Sequence, residues 1–253
     1  MVIGVFIAVA AGLLAGVAIG WFTEYYTASE YSPTKWIASQ CLTGPATTVI
    51  GGTPRLTGML TTDTLAITNT SLEVDPGAVL VLNGALPSTF DGATLLNAGT
   101  FELAGSGNLV LSNGASIINS DFFDIQSDAD IVHGGGAAAV FTNSGTLLKT
   151  GAGTSVIGDS IALTNTPAGM IVAAVGTLAI DPTSFNNNEG MIDVPLGATL
   201  ATGAFTNAAT GTITGEGIID LGVDSFGAPR TLTNNGTIDP GLSGGGPGTL
   251  TLA

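Results

Sequence analysis

The unit that repeats through most of this chain is clearest in residues 141–147, which read Phe141-Thr142-Asn143-Ser144-Gly145-Thr146-Leu147. An Asn that follows an apolar residue by two positions occurs at eight places: Asn69, Asn97, Asn119, Asn143, Asn165, Asn187, Asn207 and Asn234. The intervals between successive Asn residues are 28, 22, 24, 22, 22, 20 and 27 residues. A regular interval near 22 residues is typical of a repeat protein, so we interpret the chain as coils of one recurring unit.

A second line of apolar residues returns after each Asn and keeps the same register: Phe101, Phe123, Leu147, Ile171, Ile192, Ile213 and Ile238. Two positions further on, another residue often belongs to the same face, as at Leu103, Ile125 and Val194. This period of two predicts strands with one face turned inward. Lys149 interrupts the second position, so we expect a local bulge or an outward-turned side chain there.

These patterns predict a mainly β fold, a parallel β-solenoid of about eight coils. Each coil pairs with its neighbours at about 4.8 Å, and equivalent side chains stack into lines along the axis. We expect the eight Asn to form such a line at a corner, because Asn tolerates the left-handed conformation and bonds to its own kind. A globular β-sandwich is the alternative, but its strands would have no reason to share one Asn-centred motif.

The repeats also resemble the passenger repeats of bacterial autotransporters and related secreted adhesins. The likeness lies in units of the form F-T-N-S-G-T-L and in the C-terminal run from Asn234-Asn235-Gly236-Thr237 to Leu250-Thr251-Leu252. It extends over residues 60–253, although each motif is degenerate. The resemblance implies an architecture and a location outside the cytoplasm more than any activity.

Composition excludes several functions. The chain has 253 residues, with 4 Lys or Arg against 19 Asp or Glu, and a formal net charge of −15. Nucleic acid is therefore not expected as a partner, because neutralising phosphates needs clustered basic residues. The single Cys, Cys41, excludes an intramolecular disulfide and a Cys metal cluster, and the single His, His133, leaves little room for a His-based metal or triad site.

The N-terminal segment has a different character. Residues 2–22 contain no charged side chain, and a helix of that length would cross about 30 Å of hydrocarbon. We therefore expect a transmembrane helix with a lipid bilayer as partner, followed by a short helical or loop segment. A signal peptide is the alternative, but such peptides begin with basic residues and have a shorter apolar stretch.

Two motifs after this run resemble an internal piece of the membrane-bound, ion-translocating inorganic pyrophosphatases. The first is T-E-Y-Y-T and the second T-G-P-A-T, at the spacing of that family; the residues are Thr23, Glu24, Tyr25, Tyr26, Thr27, Thr43, Gly44, Pro45, Ala46 and Thr47. The resemblance covers residues 1–52. It implies descent from a pump that couples hydrolysis of magnesium pyrophosphate to transport of protons or sodium ions.

The catalytic machinery of such a pump is not expected in this chain. The resemblance implies many Asp and several Lys residues around magnesium and diphosphate, whereas residues 1–52 contain only Glu24, Glu30 and Lys35 as acids and bases. We therefore predict no catalytic residue, no metal ligand and no cofactor, with magnesium relevant only to the complete family. Whether the chain is an enzyme stays open.

The likeness to the pump stops sharply, which suggests a junction. The family would continue from Gly52 into an apolar helix, but Pro54 and Arg55 break that pattern. We predict a pyrophosphatase-like fragment at 1–52, a junction at 53–59 and the repeat domain at 60–253.

Three other features of the sequence are candidate sites. The densest acidic cluster comprises Asp121, Asp124, Asp128 and Asp130; its spacing matches no calcium motif, which favours solvated turn residues. His133 precedes three glycines and is interpreted as a loop residue. Gly244-Gly245-Gly246 lacks the Lys and Ser or Thr of a phosphate-binding loop. A polysaccharide lyase is disfavoured by the lack of basic residues, whereas a hydrolase stays unsupported but open.

Two functional hypotheses follow. The first is a non-catalytic, membrane-anchored β-solenoid with a surface or adhesin-like role, whose partners are surface molecules or its own copies. The second is a truncated or misjoined member of the pyrophosphatase family, inactive as this chain alone. Under the first hypothesis the protein is at the membrane with the solenoid outside the cytoplasm.

Overall fold

A computed structural model describes residues 2–27, 54–241 and 248–253. The chain divides into two units, residues 1–49 and 50–253. The first unit contains one described helix, α1 (Val2–Thr27). The second contains strands numbered in chain order, which form three parallel sheets of nine strands each.

We call the sheets A, B and C in the order in which the chain visits them. Sheet A comprises β1 (Arg55–Leu56), β4 (Ser71–Val74), β7 (Thr94–Asn97), β10 (Ser116–Asn119), β13 (Ala139–Asn143), β16 (Ile161–Asn165), β19 (Asn187–Asn188), β22 (Phe205–Asn207) and β25 (Leu232–Asn234). Sheet B comprises β2 (Met59–Thr62), β5 (Val79–Leu82), β8 (Thr100–Leu103), β11 (Phe122–Ile125), β14 (Thr146–Lys149), β17 (Met170–Ala173), β20 (Met191–Asp193), β23 (Thr212–Thr214) and β26 (Thr237–Asp239). Sheet C comprises β3 (Ala66–Thr68), β6 (Ser88–Asp91), β9 (Leu109–Ser112), β12 (Ile131–His133), β15 (Thr154–Ile157), β18 (Thr177–Ile180), β21 (Thr199–Ala201), β24 (Ile218–Asp220) and β27 (Thr251–Leu252).

Every strand pairs in parallel with the strand three places away in the chain, so successive coils stack. The pairing of β10 with β13, for example, sets Ile117 beside Phe141 and Asn119 beside Asn143. Strands of this part alternate between buried and partly exposed residues, as the period of two requires. The predicted parallel β-solenoid is confirmed, and the alternative β-sandwich is wrong because the strands form three all-parallel sheets.

The core is a set of stacked apolar lines inside the coils. Phe101 and Phe123, on neighbouring strands of sheet B, stack with their ring centroids 4.4 Å apart. Phe141 approaches Phe123 at 5.2 Å from sheet A. Each such side chain, fully buried, contributes about 1.5–3 kcal/mol. This core fixes which side chains reach the surface and which line the corners.

The position of the Lys149 side chain differs from the sequence-based expectation. The residue pairs in register with Ile125 and Ala173, without a bulge, and its side chain is fully buried. The predicted bulge or outward turn is therefore wrong. The physical reason is hydrogen bonding: Nζ donates to Ser127 O at 2.9 Å and to Gly151 O at 2.6 Å, so the buried ammonium has backbone partners.

The helix of the first unit also differs from expectation. Within residues 2–27, 54–241 and 248–253, no helix combines the length and the apolarity needed to cross a membrane. The predicted transmembrane helix is therefore wrong. That prediction counted uncharged residues, whereas insertion into lipid depends on apolar surface.

Candidate functional site

The strands of sheet A end at a corner where seven Asn side chains are joined to one another by six hydrogen bonds. We call this line the Asn ladder and the corner between sheets A and B the A–B corner. Each Nδ2 donates to Oδ1 of the Asn in the next coil at 2.8–2.9 Å. The ladder runs through Asn97, Asn119, Asn143, Asn165, Asn188, Asn207 and Asn234.

The second Nδ2 proton of the ladder residues bonds to the backbone. Asn143 donates to Met170 O at 3.0 Å, and Asn119 donates to Thr146 O at 3.1 Å. These carbonyls belong to the first residue of a sheet B strand one coil further on. The ladder therefore connects each corner to the next and supplies donors to buried carbonyl groups, so its role is structural.

The ladder has a direction and two different ends. At its start, Asn97 Oδ1 is buried and has no hydrogen-bond partner among the described residues. The preceding strand offers Val74 at that position, and a valine side chain cannot donate. At its other end, Asn234 is exposed and its Nδ2 donates to Gly236 O at 3.2 Å.

Two of the Asn residues selected from the motif lie elsewhere. Asn187 is exposed on the outer face of sheet A, and its neighbour Asn188 occupies the ladder. Asn69 lies at the corner between sheets C and A, with a φ of 52°. Asn113 adopts the same φ of 52° at this corner, and Gly92 lies between them with a φ of 57°. Asn69 therefore serves the left-handed turn there.

The predicted acidic cluster does not converge on one point. Asp130 Oδ1 accepts a hydrogen bond from Val156 N at 2.8 Å, and Asp128 Oδ1 accepts one from Gly153 N at 2.9 Å. Asp124 accepts from Thr150 Oγ1 at 2.9 Å. Each carboxylate thus holds a different part of the next coil. In the described part of the chain, no three His, Cys, Asp or Glu side chains are grouped to hold a metal ion.

Burial shifts two titratable groups near this cluster. It raises the pKa of Asp124 above its ordinary value, and the hydrogen bond from Thr150 opposes that shift. It lowers the pKa of Lys149, against the attraction of Asp128, whose Oδ1 lies 3.9 Å from Nζ. His133 ends β12, and its Nε2 lies 3.1 Å from Ala137 O. Gly244–Gly246 lie outside the described residues.

A groove of about 620 Å³ lies on the outer side of sheet B and the following loops, and we call it the acidic groove. Its lining comprises Met170, Met191, Asp193, Pro195, Leu196, Thr214, Gly215, Glu216, Asp239 and Gly241. Asp193, Thr214 and Asp239 occupy one register line across three successive coils. Thr214 Oγ1 donates to Asp193 Oδ1 at 2.9 Å, which holds that carboxylate in place. The groove therefore combines three carboxylates with the thioether groups of two Met residues.

The sequence reasoning missed this groove. A signal for part of it is present, because Met191-Ile192-Asp193 and Thr237-Ile238-Asp239 place Asp at the same outward position of the repeat. Glu216 could not be placed in the same way, since it lies in a loop between strands.

The motif residues of the first unit are only partly described. Thr23 and Glu24 lie on α1, where Thr23 Oγ1 donates to Ile19 O at 2.8 Å and Glu24 is exposed. The ring of Tyr25 stacks on Trp21 with centroids 6.4 Å apart. Tyr26 and Thr27 belong to the same helix. Thr43, Gly44, Pro45, Ala46 and Thr47 lie outside the described residues, as does the predicted junction at Gly52 and Thr53.

Sequence and structure together define a β-solenoid joined to a segment that resembles membrane-bound pyrophosphatases. The sequence model of the family described as inorganic H+ pyrophosphatase matches residues 1–103. That match includes the predicted segment 1–52 and extends into the first strands of the solenoid, β1–β8. The predicted resemblance is confirmed.

The curated relatives match a shorter part. A protein of Clostridium tetani named as a K(+)-stimulated pyrophosphate-energized sodium pump is 55% identical over 47 residues, 19% of this chain. A protein of the same name from Bacteroides thetaiotaomicron is 51% identical over 45 residues, 18% of this chain. The chain spans 7% and 6% of the lengths of these two relatives. No solved structure matches the chain.

Proposed function

We propose that the solenoid is a non-catalytic binding module of the adhesin kind, displayed outside the cytoplasm, and that it binds surface molecules through the acidic groove. The resemblance of residues 60–253 to autotransporter passenger repeats supports this setting. The observation that carries the proposal is the groove itself, where carboxylates from successive coils flank apolar side chains at the surface.

The chemistry of the groove favours a basic partner segment with apolar side chains. Asp193, Glu216 and Asp239 would attract Lys or Arg, while Met side chains adapt to apolar groups of different shapes. The groove lining contains no aromatic ring on which a sugar could stack. A basic segment of a surface protein is therefore a better ligand than a polysaccharide.

The test is a comparison of two immobilised peptides, one of Lys and Leu and one of Glu and Leu, probed with the full chain. We expect retention on the Lys–Leu peptide alone, decreasing as salt is added. The triple variant Asp193→Asn, Glu216→Gln, Asp239→Asn should lose most of it. The control Asp63→Asn, Asp121→Asn, Asp159→Asn removes the same charge from exposed positions elsewhere. Equal retention of both triple variants would rule out the groove.

A second candidate function concerns origin, and the matches over residues 1–103 favour it. We propose that residues 1–52 within this match derive from a pyrophosphate-energised ion pump and are inactive in this chain. Magnesium and diphosphate have no matching ligand set here, since residues 1–52 contain Glu24 and Glu30 as their only acids. Magnesium-dependent pyrophosphate hydrolysis above background would contradict this. Long sequencing reads across codons 48–58 test whether the junction exists in the genome.

A further inference from the structure

One loop departs from the repeat and holds an aromatic ring in solvent. Residues 222–231 connect β24 to β25, and Phe226 in this loop is 93% exposed. Asp224 Oδ1 accepts hydrogen bonds from the backbone N–H groups of Phe226 and Ala228, both at 2.9 Å. Val223 and Pro229 form an antiparallel bridge across the loop. The ring of Phe226 is thus held outward by a hydrogen-bonded hairpin.

The same loop contains a cation at the surface. Of the basic residues in the described part of the solenoid, Arg55 is bound to Asp75 at 2.6 Å and Lys149 is buried. Arg230 is partly exposed; its charge adds to the backbone hydrogen bonds that lower the pKa of Asp224 in the same loop, but it forms no salt bridge within 4.0 Å in the described part of the chain. An exposed aromatic ring near a partly exposed guanidinium is the composition that dominates protein interfaces.

A pocket next to this loop has an apolar and acidic lining, which is complementary to an aromatic ring and a guanidinium group. It has a volume of about 290 Å³, lies on the outer face of sheet C and includes Gly222, the first residue of the loop. Its apolar floor includes Val156, Ala179 and Ala201, which lie in register on successive coils. Asp181 and Asp220 add two carboxylates to the lining. This volume exceeds that of an enclosed cavity of about 150 Å³ that holds benzene, so a phenyl ring fits in this shallow pocket, which is open to solvent on one side.

We propose that two copies of this chain pair through a two-fold contact, in which Phe226 of each inserts into the sheet C pocket of the other. Arg230 of each then meets Asp181 and Asp220 of the partner subunit's pocket. Because Gly222 both lines the pocket and begins the loop, ring and pocket are adjacent on the surface. A two-fold axis near Gly222 therefore forms both contacts at once and closes the assembly at a dimer. This pairing is independent of the acidic groove.

Sedimentation equilibrium of the full chain tests the pairing. We expect a monomer–dimer equilibrium whose dissociation constant rises at least about tenfold on Phe226→Ala, since buried aromatic anchors dominate such interfaces. Ala201→Phe, which fills the pocket, should have the same effect. Leu86→Ala is the matched control, because Leu86 is 69% exposed and lines neither the sheet C pocket nor the acidic groove. A monomeric parent chain, or equal association of Phe226→Ala and Leu86→Ala, would overturn the proposal.

A charge exchange separates pairing from misfolding and from association through other surfaces. Arg230→Asp and Asp220→Arg should each weaken the dimer, because each places like charges together. Combining them in one chain should restore most of the association. The far-ultraviolet circular dichroism spectra of all three variants should match that of the parent chain, which would establish that each variant folds. Association of the double variant no stronger than that of either single variant would refute the ion pair.

Discussion

The A–B corner and the corner between sheets B and C solve the same problem with different side chains. At both corners, buried carbonyl groups of neighbouring coils need a donor. The A–B corner uses Asn in successive coils, whereas the B–C corner uses the buried Lys149 in one coil, beside the hydroxyl donors of Ser127 and Ser155. An amide side chain both donates and accepts hydrogen bonds, so Asn can occupy the same corner position in successive coils. An ammonium group only donates hydrogen bonds, and two of them in neighbouring coils would repel each other. One buried Lys is therefore possible, but its burial costs the hydration of the charge.

The largest expected effect comes from interrupting the ladder at its centre. Asn143→Ala removes the bond to Asn165, leaves Met170 O without that donor and deprives Asn119 of its acceptor. We expect a loss of about 3 kcal/mol in the free energy of unfolding, because buried partners are left unsatisfied. Urea denaturation measures it.

Asn234→Ala is the matched control, the same chemical change at the exposed end of the ladder. It removes one acceptor of Asn207, whose Nδ2 still has Gly211 O and Thr237 O within reach. The expected loss is about 1 kcal/mol or less. Equal losses for the two variants would mean that the ladder is not a cooperative feature of the corner.

Lys149→Met tests the other corner and has a smaller expected effect. The variant loses the bonds to Ser127 O and Gly151 O but no longer buries a charge, so the two contributions oppose each other. We expect a loss of about 1 kcal/mol near neutral pH. Ser127 O keeps a bond from Ser155 Oγ at 3.0 Å, which limits the damage.

The pH dependence gives a sharper test of Lys149. Burial lowers its pKa in the folded state below the ordinary value of 10.5. Between these two pKa values the unfolded chain binds more protons, so stability rises with pH through that window. Below the folded-state pKa this contribution is constant. Urea denaturation from pH 7 to pH 10.5 should show the rise in the parent chain and a smaller one in Lys149→Met. Identical slopes would contradict a buried ammonium.

The sequence predicted the repeat and the inward lines because both follow from strict periodicity. It misplaced residues where local geometry decides. The run Asn186-Asn187-Asn188 contains three candidates, and only the strand register selects Asn188 for the ladder. From the sequence, Lys149 interrupts the inward apolar line, because the motif does not show which buried backbone carbonyl groups need a hydrogen-bond donor. The Phe226 loop, and Leu196 and Glu216 of the acidic groove, lie between strands, where the repeat does not constrain the residues.

The last expected effect is a gain in stability. Thr202 follows β21 at an inward position, and its Oγ1 is buried with no partner in the described structure. Thr202→Val should raise the free energy of unfolding by about 1 kcal/mol, because an unsatisfied hydroxyl is removed at little change of shape. Thr199→Val, at a partly exposed position of the same strand, is the control and should leave stability within about 0.5 kcal/mol. A loss at Thr202 would indicate that the hydroxyl has a partner.

Hydrogen exchange of the Asn side-chain amides tests the ladder most directly. In nuclear magnetic resonance spectra of the full chain, the Nδ2 protons of Asn119, Asn143 and Asn165 should exchange at least about a hundredfold more slowly than those of exposed Asn235, because they open only with the coils. Exchange of all four side chains at the same rate would show that the buried ladder does not exist.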